Sequence, residues 1–345
     1  MIWLTWRQFR PQAIAAATVL AVLAVVLLVS GLSLAHLYAT SGVAACASHH
    51  DCESLASSFL RQARIGSYDQ LHGIAAAIVL LAPAVIGMFW GAPLITREIE
   101  TGTFRLAWNQ SVSRYRWIGV KLGLIGLASM VTAAVATLMV TWWAAPINKA
   151  VVLAGSASPT TVTRFTPAAF AASGIVPVGY AAFAFALGVT VGVLVRRTVH
   201  AMAVTLTAFA GVQLAWPSWI RPHLIAPVHA VLALGKVSLG GFGSGPGNGL
   251  FLTVGSKGDG WILSSHAANA AGQAISRVPG GCSTQTGGPQ TFLACLARKG
   301  VRAAVTYQPG SRYWTFQWYE TAIFLVLAAV LAAFCYWRVS RRALA

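Results

Sequence analysis

Charged side chains are scarce in this chain, and acidic ones are scarcer still. Asp, Glu, Lys and Arg make up 9% of its 345 residues, with 7 acidic residues against 24 Lys and Arg. Hydrophobic residues account for 57%, whereas about 25% of the residues in a soluble globular protein are charged. This composition excludes a soluble globular fold and is typical of a chain that crosses a membrane several times.

The sequence also lacks the motifs of enzymes and motors that work at membranes. It has no G-x-x-x-x-G-K-[ST] loop for ATP, no G-x-S-x-G elbow and no H-E-x-x-H helix. His49 and His50 lie near only one cysteine pair, so a complete set of zinc ligands is missing. Paired carboxylates at membrane depth, which ion-coupled transporters need, are missing as well. We predict no catalytic residue, no cofactor and no metal site on this chain.

Six apolar stretches are long enough to cross a bilayer. A membrane-spanning helix needs about 20 mostly apolar residues, and stretches of at least that length cover 12–37, 73–95, 117–144, 167–195, 198–220 and 316–337. Aromatic residues bracket the third and the sixth stretch, as is common at headgroup depth. The first stretch is too long for the core of a removable signal peptide. We predict an all-α polytopic membrane protein with six transmembrane helices.

The distribution of Lys and Arg predicts the orientation. With the N-terminus inside, the inner side carries a dense set of basic residues in short segments, whereas most outer basic residues lie in the single long segment 221–315, which the positive-inside rule exempts. Both termini are therefore expected in the cytoplasm. The net charge of +17 then anchors helix ends at anionic lipid headgroups and needs no nucleic acid as a partner. The inner basic residues are Arg7, Arg10, those of the 95–121 segment, Arg196, Arg197, Arg338, Arg341 and Arg342.

Four regions follow from these patterns. Trp3, Trp6 and Phe9 share one helical face and Pro11 follows, which predicts a separate amphipathic helix at 1–11 in the inner membrane interface. Residues 12–220 hold spans one to five with a cytoplasmic loop at 95–117. Residues 221–315 form an extracytoplasmic domain, and residues 316–345 hold the sixth span and a cytoplasmic tail.

The extracytoplasmic segment is expected to form a small domain of mixed α/β structure. We predict a helix along the outer surface at 222–234 and a flexible glycine-rich linker at 240–249. Strands are predicted at 250–254, 261–264 and 301–307, with a helix at 291–298.

Four of the five cysteines form two local pairs on the outer, oxidising side. Cys46 and Cys52 share the first outer loop, and Cys282 and Cys295 share the domain. Both pairs predict disulfides, the alternative being incidental free thiols. Cys335 lies alone in the last span and is interpreted as a packing residue.

The 95–117 loop is the most polar part of the chain. Gly102 predicts the end of one helix and Ser113 the N-cap of the next. Phe104 and Trp108 are four residues apart, so they share one face of a short helix and form an apolar anchor for a partner. The alternative is an ordinary positive-inside loop.

Within the loop, Glu98 and Glu100 are expected to pair with basic residues of a partner, or internally with Arg105 or Arg114.

Few ionisable residues lie near the membrane outside this loop. Glu320, at the outer end of the sixth span, is a candidate functional acid, the alternative being an interface acid paired with Arg312. His200 is interpreted as an interfacial residue, and the Gly188-x-x-x-Gly192 step receives no role.

The loop resembles the signature of the ABC-2 family of exporter permeases. Members show an acidic turn containing Gly-Thr after the second span, a Pro-Val-Ser-Arg-like stretch, and a lysine early in the third span. Ser111 stands where the family has proline. The segments 106–114 and 307–320 are also similar to ABC transporter permeases of high-GC bacteria. The residues that match the signature are Arg97, Glu98, Glu100, Gly102, Thr103, Val112, Ser113, Arg114 and Lys121.

The resemblance implies a six-helix ABC-2 architecture, of the type V exporter kind, in a bacterial plasma membrane. It implies a permease dimer, either a homodimer or a pair with a paralogous permease, above two ATPase subunits that carry ATP and Mg²⁺. Apolar, aromatic-rich walls favour a hydrophobic or amphipathic cargo. The alternative is a non-transporting ABC-type module that senses an outside ligand through 221–315. The expected ATPase-coupling residues are Arg97, Glu98, Glu100, Gly102, Thr103, Phe104, Arg105, Trp108, Ser113 and Arg114.

Overall fold

A computed structural model describes residues 2–48, 52–102, 113–154, 164–234, 239–244, 250–254, 260–282 and 288–341. Helices dominate these residues, and five strands lie between the eighth and the tenth helix. The helices are α1 (Ile2–Thr40), α2 (Cys52–Ile65), α3 (Tyr68–Ile86), α4 (Pro93–Glu100), α5 (Arg114–Ala154), α6 (Pro167–Ala171), α7 (Val176–Val195), α8 (Thr198–Ala215), α9 (Gly288–Arg298) and α10 (Tyr313–Arg341). The strands are β1 (Val228–Ala233), β2 (Leu239–Ser244), β3 (Leu250–Val254), β4 (Trp261–Ala268) and β5 (Arg302–Gln308).

Six helical segments in the described part of the chain are long and apolar enough to cross a membrane. They coincide with the six predicted stretches, which confirms the prediction of a polytopic helical protein. Their bounds are Thr5–Thr40, Tyr68–Glu100, Tyr115–Ala154, Val176–Val195, Thr198–His223 and Gly310–Val339.

Successive spans alternate in direction, so the bundle has two distinct ends. The N-terminal side holds the start of α1, the end of α4, the start of α5, the α7–α8 connection and the end of α10. Contacts between these elements show that they lie at the same end of the bundle. For example, the ring centroids of Tyr115 in α5 and Tyr336 in α10 are 5.4 Å apart. The opposite end, here called the domain side, carries the strands and α9.

The first helix differs from its prediction. α1 runs from Ile2 to Thr40 through Pro11, so the predicted separate helix at 1–11 is instead the first turns of α1. Proline lacks an N–H donor, but contacts hold the helix on both sides of it. Phe9 packs edge-to-face on Trp90 at 4.8 Å, and Gln12 Nε2 donates to the carbonyl of Phe89 at 3.2 Å.

The fourth span is also shorter than predicted. The stretch 167–195 is divided into α6 and α7 by a turn at Gly174, whose φ is +72°. Gln317 of α10 fixes this turn: its Oε1 accepts the N–H groups of Ile175 and Val176, both at 3.0 Å. A side chain from the sixth span therefore satisfies two free donors at the start of the fourth.

Almost every residue of α7 is buried, so this helix is the centre of the bundle. α3 and α4 form one continuous helical path joined by a π-helical turn at Gly87–Gly91, and this turn lies directly against α7. A Cβ atom added to Gly188 would lie 2.2 Å from the carbonyl oxygen of Gly87, and one added to Gly192 would lie 2.7 Å from that of Ala92. The glycine step thus serves packing within one subunit.

The domain contains a three-stranded antiparallel sheet in the order β1-β5-β4 and a β2–β3 hairpin. Phe292 and Leu296 of α9 are buried with Val301 and Val305 in its apolar core. A disulfide joins Cys282 to Cys295, whose Cα atoms are 5.7 Å apart, as predicted. Strand β3, strands near 261–264 and 301–307, and a helix covering 291–298 are confirmed.

Two predictions for this region are wrong. Residues 222–234 do not form a surface helix: a single 3₁₀ turn at Arg221–His223 leads into strand β1, whose backbone groups pair with β5. The glycine-rich stretch is not wholly a flexible linker, because residues 239–244 form β2 and pair with β3, while 245–249 lie outside the described residues.

The remaining cysteines are only partly covered. Cys52 is disulfide-bonded, but the side chain of Cys46 lies outside the described residues, so the pairing of these two stays a prediction. Cys335 is a buried free cysteine beside the hydroxyl of Thr190, at 3.2 Å. That position agrees with its interpretation as a packing residue.

Candidate coupling site

The end of α4 is shaped as the sequence predicts. Gly102 has a φ of +69°, the left-handed conformation that ends helices, and its N–H donates to the carbonyl of Ile99 at 3.2 Å. Ser113 caps α5, because its hydroxyl accepts the N–H of Arg116 at 3.3 Å. The helices on either side of residues 103–112 therefore have well-defined ends at Gly102 and Ser113.

Glu98 joins three helices at this point. Its Oε1 accepts hydrogen bonds from Lys121 Nζ of α5 and from Gln8 Nε2 of α1, the latter at 3.2 Å. Lys121 is buried, and its ammonium group also lies 4.7 Å from the centre of the Trp117 ring. Glu98 is partly buried, and removing its carboxylate would leave the buried Lys121 ammonium group without a counter-charge.

Glu100 ties the last turn of α4 to the start of α8. Its carboxylate accepts the backbone N–H of Thr198 at 2.9 Å and a hydrogen bond from the Thr198 hydroxyl. The same hydroxyl lies 3.1 Å from that of Thr96. Glu100 thus acts as an N-terminal cap supplied by a neighbouring helix.

Sequence reasoning found the two acids but not their partners. Glu98 pairs with Lys121 and Glu100 with Thr198, whereas the predicted pairing with a partner, or with Arg105 or Arg114, stays a prediction because those two side chains lie outside the described residues. Lys121 belongs to the family signature, so the sequence contained an indication of this partner of Glu98. It contained no indication of Thr198 or Gln8. Arg97 is exposed. Thr103, Phe104, Arg105 and Trp108 lie outside the described residues, as does the side chain of Arg114.

A second polar cluster lies on the domain side. Arg221 and Glu320 are fully buried and form a bidentate ion pair, with Nε and Nη2 each 2.9 Å from a carboxylate oxygen. The hydroxyl of Tyr180 donates to Glu320, and the ring of Phe170 lies 4.1 Å from the guanidinium carbon. The pair joins α10 to the turn that follows α8, with α7 between them.

The alternative interpretation, in which Glu320 pairs with Arg312, is therefore wrong, whereas its role as a functional acid stays a prediction. Arg312 instead donates to the carbonyl of Ala226 and to Gln308 Oε1, both at 2.8 Å. The sequence indicated Arg221 only weakly, as the first charged residue after the fifth apolar stretch. His200 is exposed in the first turn of α8, which agrees with its interfacial interpretation.

The geometry leaves no obvious reaction centre in the described part of the chain. The two acidic clusters are used for joining helices, and no group of three or more His, Cys, Asp or Glu residues is placed to hold a metal ion among the described residues. What the described N-terminal side carries instead is two helix ends, at Gly102 and Ser113, on either side of the polar segment 103–112.

Comparison with known families decides the class. The sequence profile of the family described as ABC-2 membrane transporter related matches residues 17–221, which is more than half of the chain and includes spans two to five with the 95–117 loop. The chain belongs to this family. As an ABC-2 permease it is a membrane component of an ABC transporter, and the family implies an ATPase partner. A search of curated proteins and a search of solved structures each give no match.

Proposed function

We propose that this ABC-2 permease is the membrane subunit of an exporter in the bacterial plasma membrane. A separate ATPase docks on the 95–121 segment and supplies the energy, and a second permease copy completes the pump as a homodimer. The cargo is a hydrophobic or amphipathic molecule that moves between the two copies. ATP and Mg²⁺ are held by the ATPase.

The observation that carries this proposal is the anchoring of α4. A motor moves transmembrane helices only if its contact is stiff. The end of α4, where the loop begins, is fixed to α1, α5 and α8 through Glu98 and Glu100. A push on the loop would therefore reach three other helices directly. An ordinary connector loop would not require the preceding helix to be fixed to three others.

Orientation is tested first, because the ATPase must meet the N-terminal side. Reporter fusions after Arg197 and after the C-terminus should be active in the cytoplasm, since both lie on that side. Fusions near Ser57 or Gly258 should report the exterior. A cytoplasmic signal at Gly258 would overturn the orientation and the docking site together.

Coupling is tested by three substitutions in the loop. Gly102→Leu forces a side chain into a left-handed conformation that costs about 1–2 kcal/mol, and Glu100→Ala removes the cap of α8. Both proteins should remain inserted and dimeric, while cargo export falls sharply and basal ATP hydrolysis by the partner persists. Trp108→Ala should instead reduce the amount of ATPase that co-purifies.

Glu53→Ala is the matched control, because Glu53 is an exposed acid of α2 on the domain side. It should leave export, hydrolysis and co-purification unchanged. Normal export and normal co-purification in all three loop variants would show that the loop is a solvated connector, and the exporter proposal would lose its support from these residues.

A sensor is the second candidate, and the seating of the domain favours it. Trp261 of β4 stacks on Phe165 at 6.0 Å, and Gln308 Nε2 donates to the carbonyl of Ile225 at 2.7 Å, so a ligand on the domain would act on the bundle directly. Stimulation of the ATPase by an external ligand without cargo movement in vesicles would favour this function over export.

A further inference from the structure

An apolar groove of about 320 Å³ lies between α5, α7 and α10. Its lining comes from residues 122–130 of α5, 182–186 of α7 and 325–332 of α10. Every lining residue is Gly, Ala, Leu, Met or Phe, and all three helices belong to membrane-spanning segments. This space, called the α5–α10 groove below, therefore suits an apolar occupant within the membrane.

Small residues keep the groove open towards the surface of the bundle. Gly123 of α5 and Ala329 of α10 are exposed at its two rims, and a Cβ atom added to Gly123 would meet nothing within 4 Å. Phe185 of α7 forms the floor, and its ring would lie 3.3 Å from a Cβ atom added to Gly126. A larger side chain at either rim would thus occupy the space itself.

The size of the groove favours an extended hydrocarbon chain. The lining residues of α5 span eight positions, which is about 12 Å along the helix axis. Since an apolar cavity of about 150 Å³ holds one benzene, the groove holds roughly ten to twelve carbon atoms. A helix segment of the same length is about 10 Å in diameter and occupies roughly three times the volume of the groove. The groove can therefore take a chain but not a whole helix of a second copy.

Two tyrosines lie at the N-terminal-side end of the groove. Tyr115 is seven positions before Leu122, and Tyr336 is four positions after Ala332, so each shares a helix face with the lining residues below it. Their rings are 51% and 41% exposed, with centroids 5.4 Å apart. Exposed tyrosines are typical of headgroup depth. The groove thus runs from headgroup depth towards the middle of the bilayer, which is the direction of a lipid chain.

The charge at this end favours an anionic head. Arg116 is exposed and lies seven positions before Gly123, on the rim side of α5. Helix α5 contains no acidic residue, and the single acid of α10, Glu320, lies on the domain side. The two acids of α4 are engaged with α5 and α8. A phosphate at this end would therefore meet a cation, and a cationic head would be repelled.

We propose that the α5–α10 groove binds one anionic phospholipid of the bilayer. One acyl chain lies along the groove from Leu122 to Met130, and the phosphate lies beside Arg116. The tyrosine pair contacts the first carbons of the chain. The site is separate from the 95–117 loop, so binding requires neither an ATPase nor the proposed orientation.

The test uses the purified full-length permease without the ATPase. Native mass spectrometry measures the retention of phosphatidylglycerol and of phosphatidylcholine with the same acyl chains. Phosphatidylglycerol should bind about fivefold more tightly, which is the factor expected for one arginine near an anionic lipid surface. Phosphatidylglycerol that carries a diazirine in its acyl chain should, after illumination, label peptides that contain residues 122–130 and 325–332.

Two variants that fill the groove test where the chain lies. Gly123→Leu and Ala329→Leu should each abolish the labelling and the retention of this lipid. Gly123→Leu should remain folded, because its position is open and leucine favours a helix over glycine. Gly211→Leu is the matched control, since Gly211 is an equally open position in α8 outside the groove. It should retain and be labelled by the lipid as the wild type does.

A separate variant tests the head. Arg116→Gln should reduce the preference for phosphatidylglycerol over phosphatidylcholine to about onefold, because it removes the single charge on which that preference depends. Labelling of the groove by the acyl chain should persist. Arg10→Gln changes another exposed arginine on the same side, in a helix that does not line the groove, and should keep the wild-type preference.

Unchanged labelling in both groove-filling variants would overturn the proposal, as would equal affinity of the wild type for the two lipids. Conversion of a dimer to monomers by Gly123→Leu, with lipid retention unchanged, would assign the groove to a second copy instead. None of these results bears on export, because the ATPase and the cargo take no part in the measurement. Failure of the exporter proposal in turn leaves the lipid measurement unaffected.

Discussion

Glu320→Leu should destabilise the permease by about 3–5 kcal/mol, the range found when one partner of a buried ion pair is removed. Arg221 would keep its charge, because a guanidinium group does not lose its proton in a protein, and it has no exposure to solvent. Thermal unfolding of the purified protein in detergent measures the effect. The loss should be largest for probes on the domain side, where α10 meets the turn after α8.

The reverse substitution should be milder. In Arg221→Met the remaining carboxyl group can bind a proton and become neutral, and the hydroxyl of Tyr180 stays within hydrogen-bonding distance. The double variant Arg221→Met/Glu320→Leu should recover most of the lost stability, because it leaves no isolated charge and replaces the pair by apolar groups of similar size. The cycle of four proteins isolates the interaction between the two side chains.

Arg312→Met is the control for the loss of a nearby arginine, since Arg312 contacts a carbonyl and an amide rather than Glu320. Its cost should be well below that of Glu320→Leu. If the two single variants were as stable as the wild type, or if the double variant lost the sum of both single effects, the pair would not hold the domain-side end of the bundle together.

The six spans were predictable because each depends on a property that the sequence displays directly. An apolar run of sufficient length has few alternatives to a transmembrane helix, and Gly102 and Ser113 mark helix ends through local chemistry alone. These features needed no knowledge of the neighbouring elements. The short strands of the domain were predictable for the same reason, because their alternating polar and apolar residues are bounded by turn residues.

The errors arise where a distant residue decides the local structure. The break at Gly174 depends on the amide of Gln317, more than 140 positions away, and the strand at 228–233 depends on pairing with β5. Composition alone favoured a helix in both places. The partners of Glu98, Glu100 and Glu320 were missed for the same reason, because a side-chain pair between spans leaves no periodic signal in either span.

The α7 glycines give the second large expected effect. A methyl group at Gly188 would lie 2.2 Å from the carbonyl oxygen of Gly87 and 2.8 Å from the nitrogen of Ala92. Both atoms belong to the backbone of the α3–α4 turn, so no side chain can rotate away. Gly188→Ala must therefore separate two helices, which we expect to cost at least the 1–3 kcal/mol typical of overpacking.

Gly211→Ala provides the control within the same bundle. Gly211 lies in α8, and a methyl group there would meet nothing within 4 Å. Alanine favours a helix over glycine by up to about 1 kcal/mol, so this variant should be as stable as the wild type or more stable. The contrast separates the cost of contact at Gly188 from any general effect of replacing glycine in a span.

The displacement should also reach the coupling site, because Gly188 and Gly192 hold the path that ends at Glu98 and Glu100. Moving α4 away from α7 would lengthen the contact of Glu100 with Thr198 of α8, since α8 follows α7 after two residues. Gly188→Ala is thus expected to lower both the unfolding temperature and cargo export, while ATP hydrolysis by the partner persists. Wild-type stability and export in this variant would mean that α7 and the α3–α4 turn are not in the close contact on which this path depends.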